Sequence, residues 1–391
     1  MNYVSFSPHY PPNYIPFWVN LHNMGVTVLG LADIAWEELP HPLHAALTEY
    51  YRVGSAFNYD ELLRALGYFT HHYGKIDRLE SHNEFWLESD ARLRTDFNIP
   101  GLHVEDMPRV KRKSEMKKMF KQIGLPVPRG RVIHALDEAL ALAKETGYPL
   151  VSKPDIGVGA SRTFKLHNAQ ELDEFFQNKP QGDYIFEEFI HGDMVTFDGL
   201  TDQDGKLVFI NSLKYSGGLL ETLNQSLDFW YCTQREIPAD LLNAGTRIVQ
   251  AYHLRERFFH FEFFRDSTGQ LIPLEVNMRP PGGLATELFN YTNEIDIYRE
   301  YANVVVHNRF EALAERPYYC AYVARRLSFQ YRYSPAEILS AYPRQVVHMV
   351  PPGGESMLIG ASQCGLVGSI IRGGVRQFTA LAALEKAPRA C

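Results

Sequence analysis

Cysteine is scarce in this chain. The four residues, Cys232, Cys320, Cys364 and Cys391, are scattered through 391 positions without a Cys-x-x-Cys pair. That spacing excludes a zinc knuckle and a disulfide framework, and it fits a reducing, cytoplasmic setting. Long apolar runs are missing too, and the opening MNYVSFSPHYPP has no basic segment leading into an apolar stretch. Neither a membrane span nor a secretory leader is expected. Basic residues are outnumbered, 39 Lys and Arg against 46 Asp and Glu, for a net charge of −7. That balance argues against a nucleic-acid partner. Two glycine signatures are absent: no Gly-x-Gly-x-x-Gly follows the first strand, and no Walker A spacing occurs, so a dinucleotide fingerprint and a P-loop are not read here. There is no fixed-period repeat and no low-complexity region.

What remains is of ordinary globular composition, 45% hydrophobic and 22% charged, and long enough for two or three domains. Asn2 to Ser7 reads as a strand, Tyr14 to Met24 as a helix closed by Gly25, and Val26 to Leu31 as a second strand. This order begins a parallel, Rossmann-like sheet. A helix over Tyr59–Tyr73, a short strand at Ile76–Leu79 and a helix over Glu84–Phe97 follow. His71 and His72 are adjacent, point apart on a helix, and are read as surface histidines, not as a metal pair.

The most informative stretch is His260 to Gly283, HFEFFRDSTGQLIPLEVNMRPPGG, in which two apolar runs flank a polar, glycine-containing break. This is the pattern of an antiparallel hairpin. With Thr268 and Gly269 at its tip, Glu262 falls opposite Glu275. Alternation puts Glu275, Asn277 and Arg279 on one face and Glu262 on a face with His260 and Phe264. Facing carboxylates about 5 Å apart repel by about 3 kcal/mol at an effective dielectric near 20. Solvent between them, a proton on one of them, or a bound cation would relieve this. The flanking Phe261, Phe263, Leu274 and Val276 make solvent the least fitting of the three. Oxygen donors with one amide suit Mg²⁺, and Arg279 suits an anion or a developing negative charge. A lone Glu-x-Asn on a surface hairpin would carry no such meaning, so the rest of the chain decides.

Upstream, a basic run from Arg109 to Lys121 opens a helix that closes at Gly124. Most of its lysines read as a solvated face. Lys113 stands apart because it begins the helix, where backbone N–H groups favour phosphate. After a helix over Asp137–Thr146, the strand Tyr148–Ser152 runs into Lys153 and the small-residue loop Gly157-Val158-Gly159-Ala160-Ser161. One charge beside several backbone amides suits a polyphosphate. Tyr184 to Ile190, YIFEEFI, is a strand in which Glu187 and Glu188 face opposite ways, so one can reach a ligand while the other meets solvent or a cation. Strands are expected over 194–200 and 206–214, a long irregular cover over Ser216–Gln234, a helix over Asp296–Asn308, and short strands in the tail.

Taken in order, these features resemble the ATP-grasp superfamily: lysine before a helix ending in Gly-Leu-Pro-Val-Pro, lysine before a small-residue loop, Glu-Glu-Phe-Ile, then Glu262 and Glu275-x-Asn277-x-Arg279. The resemblance implies an α/β (α+β) fold: an N-terminal Rossmann-like domain (1–108), a lid subdomain (109–192), a catalytic subdomain with the metal site (193–305) and a C-terminal antiparallel-sheet part (306–391). It implies ATP contacts at Lys113, Lys153, Gly157, Gly159, Ala160 and Ser161, a hinge at Glu187, Glu188, Phe189 and Ile190, and a ribose contact at Asp193. It further implies Mg²⁺, with Mn²⁺ as a substitute, on Glu262, Glu275 and Asn277, and Arg279 as the catalytic cation. The activity implied is ADP-forming ligation of a carboxylate, activated as an acyl phosphate, to an amine. The Pro-Pro-Gly-Gly run after Arg279 is similar to that of carboxylate-amine ligases and unlike that of biotin carboxylases. Small-molecule substrates and a homodimer are the expected partners.

Overall fold

Tyr3, Val4, Ser5 and Phe6 have no exposed side, as a parallel strand covered on both faces requires. They belong to β1 (Asn2–Phe6), which pairs in parallel with β2 (Thr27–Ala32) and β4 (Arg78–Glu80); β3 (Glu49–Arg52) extends the sheet beyond β2. The expected Rossmann-like start is therefore present, in the order β3-β2-β1-β4. The helix Tyr59–Tyr73 spans the residues predicted for it. The next helix starts later than predicted, at Leu87, leaving Glu84 in the turn that follows β4. The structure, a computed structural model, describes residues 1–157, 162–217, 229–313, 315–326, 330–349 and 366–373.

A second sheet, in the order β5-β8-β6-β7, is built from β5 (Gly130–Val132), β6 (Leu150–Pro154), β7 (Phe164–Leu166) and β8 (Tyr184–Glu188). The helices Leu136–Thr146 and Ala169–Gln177 close its core around Leu142, Phe175 and Phe186. The third sheet is antiparallel and carries nine strands among the described residues: β9 (Gly192–Thr201), β10 (Leu207–Asn211), β11 (Leu213–Tyr215), β12 (Phe229–Thr233), β13 (Phe258–Asp266), β14 (Leu271–Asn277), β15 (Tyr319–Arg326), β16 (Val346–Met349) and β17 (Leu366–Gly373). It runs on through residue 305 into the C-terminal part. Met116 and Phe120 of the helix Lys113–Gln122 join the core of this large sheet, with Phe197, Phe261 and Val276.

Two expected elements changed form. The strand expected over 206–214 is split at Ser212, whose N–H goes to the Asn211 side chain (2.8 Å) while Leu213 N donates to Thr196 Oγ1 (2.9 Å). Such local side-chain bonds compete with the ladder and interrupt it. Within the stretch read as irregular, 216–234, residues 229–233 form β12, paired with β11 and β15; residues 218–228 lie outside the described ones. Among the described residues no helix is long and apolar enough to cross a membrane.

The first and third sheets are locked together. Phe17, on the helix Ile15–Asn23, packs its ring 4.7 Å from Tyr298 and 5.5 Å from Phe258. Arg78 Nη2 donates to Glu256 (2.7 Å), Arg257 pairs with Glu80, and the Tyr3 and Tyr301 hydroxyls meet at 2.7 Å. Burying two long aromatic side chains beside paired charges fixes one relative placement, because neither set is satisfied if the sheets slide. The turn at the carboxyl end of β1 is thereby held against residues 281–283, since Tyr14 donates to Pro281 O (2.8 Å) and Asn13 to Gly283 O (3.1 Å).

Candidate active site

Glu262 does face Glu275 across β13 and β14, with His260 opposite Asn277. The turn that closes the hairpin differs from the one expected. Asp266 Oδ1 accepts from Thr268 N, Gln270 N and the Thr268 hydroxyl, and Gly269 takes φ +87°, so the loop is 267–269 between Asp266 and Gln270. That register alone would leave Glu262 facing Leu274. A bulge between Glu262 and Phe263 absorbs one residue, with Pro273 beside it, and restores the carboxylate pair. Proline lacks an N–H and is tolerated at a bulge on an edge strand such as β14.

The repulsion between the two is relieved in a way the sequence reading did not include: each carboxylate has a protein cation of its own. Lys113 Nζ lies 3.2 Å from Glu275 Oε1 and also donates to Gly157 O (3.2 Å). His260 Nε2 lies 3.2 Å from Glu262 Oε1, while Nδ1 of the same ring meets Asp198 at 2.6 Å; Asp198 in turn accepts from the Thr196 hydroxyl (2.6 Å). Burial alone would lower His260, but Asp198 and Glu262 push it up to about 9, so both ring nitrogens carry protons at neutral pH. Burial would raise Glu262, and the His260 bond holds it below its ordinary value. The Glu262 and Glu275 side chains stay 21% and 17% exposed although their cations are nearly sealed, so the carboxylates open toward solvent. Two partly open carboxylates with the Asn277 amide on the same strand as Glu275 form a hard-oxygen set that fits Mg²⁺.

A second charged group lies on the side of the smaller antiparallel sheet. Glu187, 3% exposed on β8, sits between Lys153 Nζ of β6 (2.7 Å) and Lys117 Nζ (3.2 Å). Burial would raise this carboxyl, yet the two lysines hold it down at about 2. Lys117, read from sequence as part of a solvated face, is 6% exposed; burial lowers its pKa to about 8 despite Glu187. Glu188 points the other way and is gripped by Arg129, Nε and Nη2 meeting Oε2 at 2.8 and 2.6 Å. The opposed pair expected from strand alternation is present. Phe189 and Ile190 follow β8; Lys165 lies 3.6 Å over the Phe189 ring. Asp193 is exposed at the start of β9 and paired with Lys214 (2.7 Å). Gly159, Ala160 and Ser161 lie outside the described residues.

The start of the lysine helix is not open to phosphate as expected. Asp155 occupies it: Lys113 N donates to Asp155 O (2.8 Å), Ser114 N to Oδ1 (2.8 Å) and the Ser114 hydroxyl to Oδ2 (2.9 Å). Asp155 is thus an N-cap supplied in trans from the end of β6, and it ties the roots of Lys113 and Lys153 together. What Lys113 offers is its ammonium, not the helix amides.

Arg279 ends the row after β14. Its Nη1 donates to Pro280 O (2.8 Å) and its Nε faces Glu84 Oε2 at 3.6 Å. That Glu84 oxygen is buried without a hydrogen-bond partner among the described residues, and burial raises the carboxyl despite Arg279.

Residues 146–287 match the family model of the ATP-grasp domain. The chain carries an ATP-grasp domain. The match holds Lys153, Glu187, Glu262, Glu275, Asn277 and Arg279, and it begins after Lys113 and Lys117. Over 243 residues the chain is 25% identical to an L-arginine-specific L-amino acid ligase of Bacillus subtilis, covering 60% of this chain and 59% of that one. It thus spans about three-fifths of that relative's length. A carbamoyl phosphate synthase large chain of Neisseria meningitidis is 27% identical over 158 residues, 40% of this chain and 14% of that one. Among solved structures, an L-amino acid ligase from Bacillus licheniformis superposes with a TM-score of 0.75 at 16% identity, covering 98% of this chain and 96% of the other. N5-carboxyaminoimidazole synthetase from Staphylococcus aureus, complexed with ADP, superposes at 0.73 and 15% identity over 98% and 96%. These likenesses show the fold.

Sequence reasoning missed four residues in and around the ATP-grasp domain. Lys117 was detectable as the residue one turn after Lys113 on the same helix face. His260 was detectable from its place two residues before Glu262, although Asp198, its other partner, was not. Glu84 follows a strand of a parallel sheet at its carboxyl end, where ligands of open α/β sheets gather. Asp155 carried no signal, because its work is done on a helix 41 residues away.

Proposed function

We propose that this chain is an ATP- and Mg²⁺-dependent ligase that activates a carboxylate as an acyl phosphate and joins it to an amine, releasing ADP and phosphate. The observation that carries the reading is the approach of Lys113, Lys153, Glu262, Glu275 and Arg279 to one another from two sheets and one helix. Lys113 and Lys153 would bind the ATP phosphates, the Glu187–Ile190 segment the adenine, and Glu262, Glu275 and Asn277 the Mg²⁺, which when bound supplies charge neutralisation on the phosphates. A substrate carboxylate oxygen attacks the γ-phosphorus, and the bond to the β-phosphate oxygen breaks. Arg279 faces the charge that builds on the acyl phosphate and on the tetrahedral species formed when the amine nitrogen adds. Collapse of that species expels phosphate, and the nitrogen loses a proton. Beside Arg279, Glu84 has a buried oxygen without a hydrogen-bond partner among the described residues, which suits the ammonium or N–H of the incoming amine. The same reading takes both substrates as small molecules, the setting as cytoplasmic and the assembly as a homodimer, which sedimentation tests.

The deciding experiment is a matrix of amino acids and other small acids against amines, with bicarbonate as a separate arm, assayed for ATP-dependent phosphate release and for product mass. An amide product with stoichiometric ADP is expected. Phosphate release with bicarbonate alone would move the protein to carboxy-phosphate chemistry, and no release with any pair would reduce it to a nucleotide-binding protein.

A further inference from the structure

Glu187 touches two lysines, and the two are held differently. Lys117 is fixed from three directions: beside Glu187 at 3.2 Å, its ammonium donates to Leu274 O (3.2 Å) and Pro273 O (3.4 Å) next to the bulge of β14. Leaving would strip all three oxygens of their cation in a buried place. Lys153 meets Glu187 through the other carboxylate oxygen at 2.7 Å and stands at the end of β6, where the chain turns toward Gly157. One carboxylate and two ammonium groups leave one positive charge in surplus, the amount a phosphate oxygen can take up.

Resting on the reading that ATP phosphates bind at Lys153, we propose that Lys117 is a positioning residue: the permanent counter-ion of Glu187, which lets Lys153 pass from carboxylate to phosphate without leaving a buried charge bare. Without Lys117 the group is neutral. Lys153 would then have to choose between phosphate and Glu187, and a buried carboxylate stripped of its partner is strongly unfavourable. The alternative is a lysine that merely ties its helix to the carbonyls of β14.

ADP binding to the full chain, measured by calorimetry, separates these. Wild type should bind. K117M should bind about tenfold more weakly than wild type, whereas K117M/E187Q should bind within about threefold of E187Q, since without the carboxylate Lys153 has nothing to be released from. K117Q keeps an N–H donor for the two carbonyls but no charge, and it should show the same loss; it replaces K117M if that variant does not fold. A tether role predicts that K117Q binds like wild type, or that K117M costs as much in the E187Q background as in wild type, and either result overturns the proposal. Wild type failing to bind ADP would instead remove the nucleotide reading beneath it.

Discussion

The two charged groups, one around Glu187 and one on the β13–β14 hairpin, solve the same problem in opposite ways. On the side of the smaller antiparallel sheet a single carboxylate, Glu187, is shared by two lysines and sealed from solvent. On the hairpin side two carboxylates face each other, each with its own cation, and both keep an opening to solvent. The difference in exposure is the instructive part. A sealed carboxylate can serve only its neighbours, whereas a partly open pair can exchange a protein cation for an arriving one. Surplus positive charge on one side and available negative charge on the other match a polyphosphate and its metal respectively.

The comparison can be broken most directly at the hairpin. Glu275→Gln removes a carboxylate proposed to hold the metal and leaves Lys113 without its carboxylate partner, so turnover should fall by roughly a thousandfold with the fold retained; near-normal phosphate release would refute the assignment. Next in size, Arg279→Ala should lower kcat by about a hundredfold while moving the KM for ATP much less, because its proposed role comes after nucleotide is bound. A change dominated by the ATP KM would make it part of the nucleotide site. Glu84→Gln should raise the KM for the amine by about tenfold and leave that for ATP unchanged; the reverse pattern would place Glu84 with the nucleotide.

The smallest effect sharpens the contrast from the sealed side. The folded-state pKa of Glu187, about 2, lies below its ordinary 4.5, so its contribution is complete above about pH 4.5 and is lost as pH falls toward 2. That shift corresponds to roughly 3 kcal/mol at most. Urea unfolding of wild type should therefore lose stability more steeply between pH 5 and pH 3 than Glu187→Gln does. Parallel slopes for the two proteins would show that the lysines do not hold this carboxylate down.

Much of this site was legible before any fold was known, for a local reason. Glu262 and Glu275 belong to one hairpin, so their encounter depends on 14 residues of contiguous chain, and strand alternation alone set Glu187 and Glu188 on opposite faces. Even there the right pair came from a wrong turn: the loop is one residue longer than expected, and the bulge near Pro273 compensates for it. What escaped was every partner drawn from far away. Lys113 meets Glu275 across 162 residues, and Asp198 reaches His260 across 62.

By itself the sequence determined which residues would be charged, on which side of which strand or helix they would stand, and in what order, because these follow from periods of 2 and 3.6 along a single element. Only the tertiary structure decided what each charge faces: Lys117 turned inward to Glu187, Asp155 placed on the helix start, Glu84 brought beside Arg279. An element's period specifies a face, and the packing of the sheets specifies what covers it. In a buried site the covering partner, more than the residue type, decides whether a charge is held or free to bind.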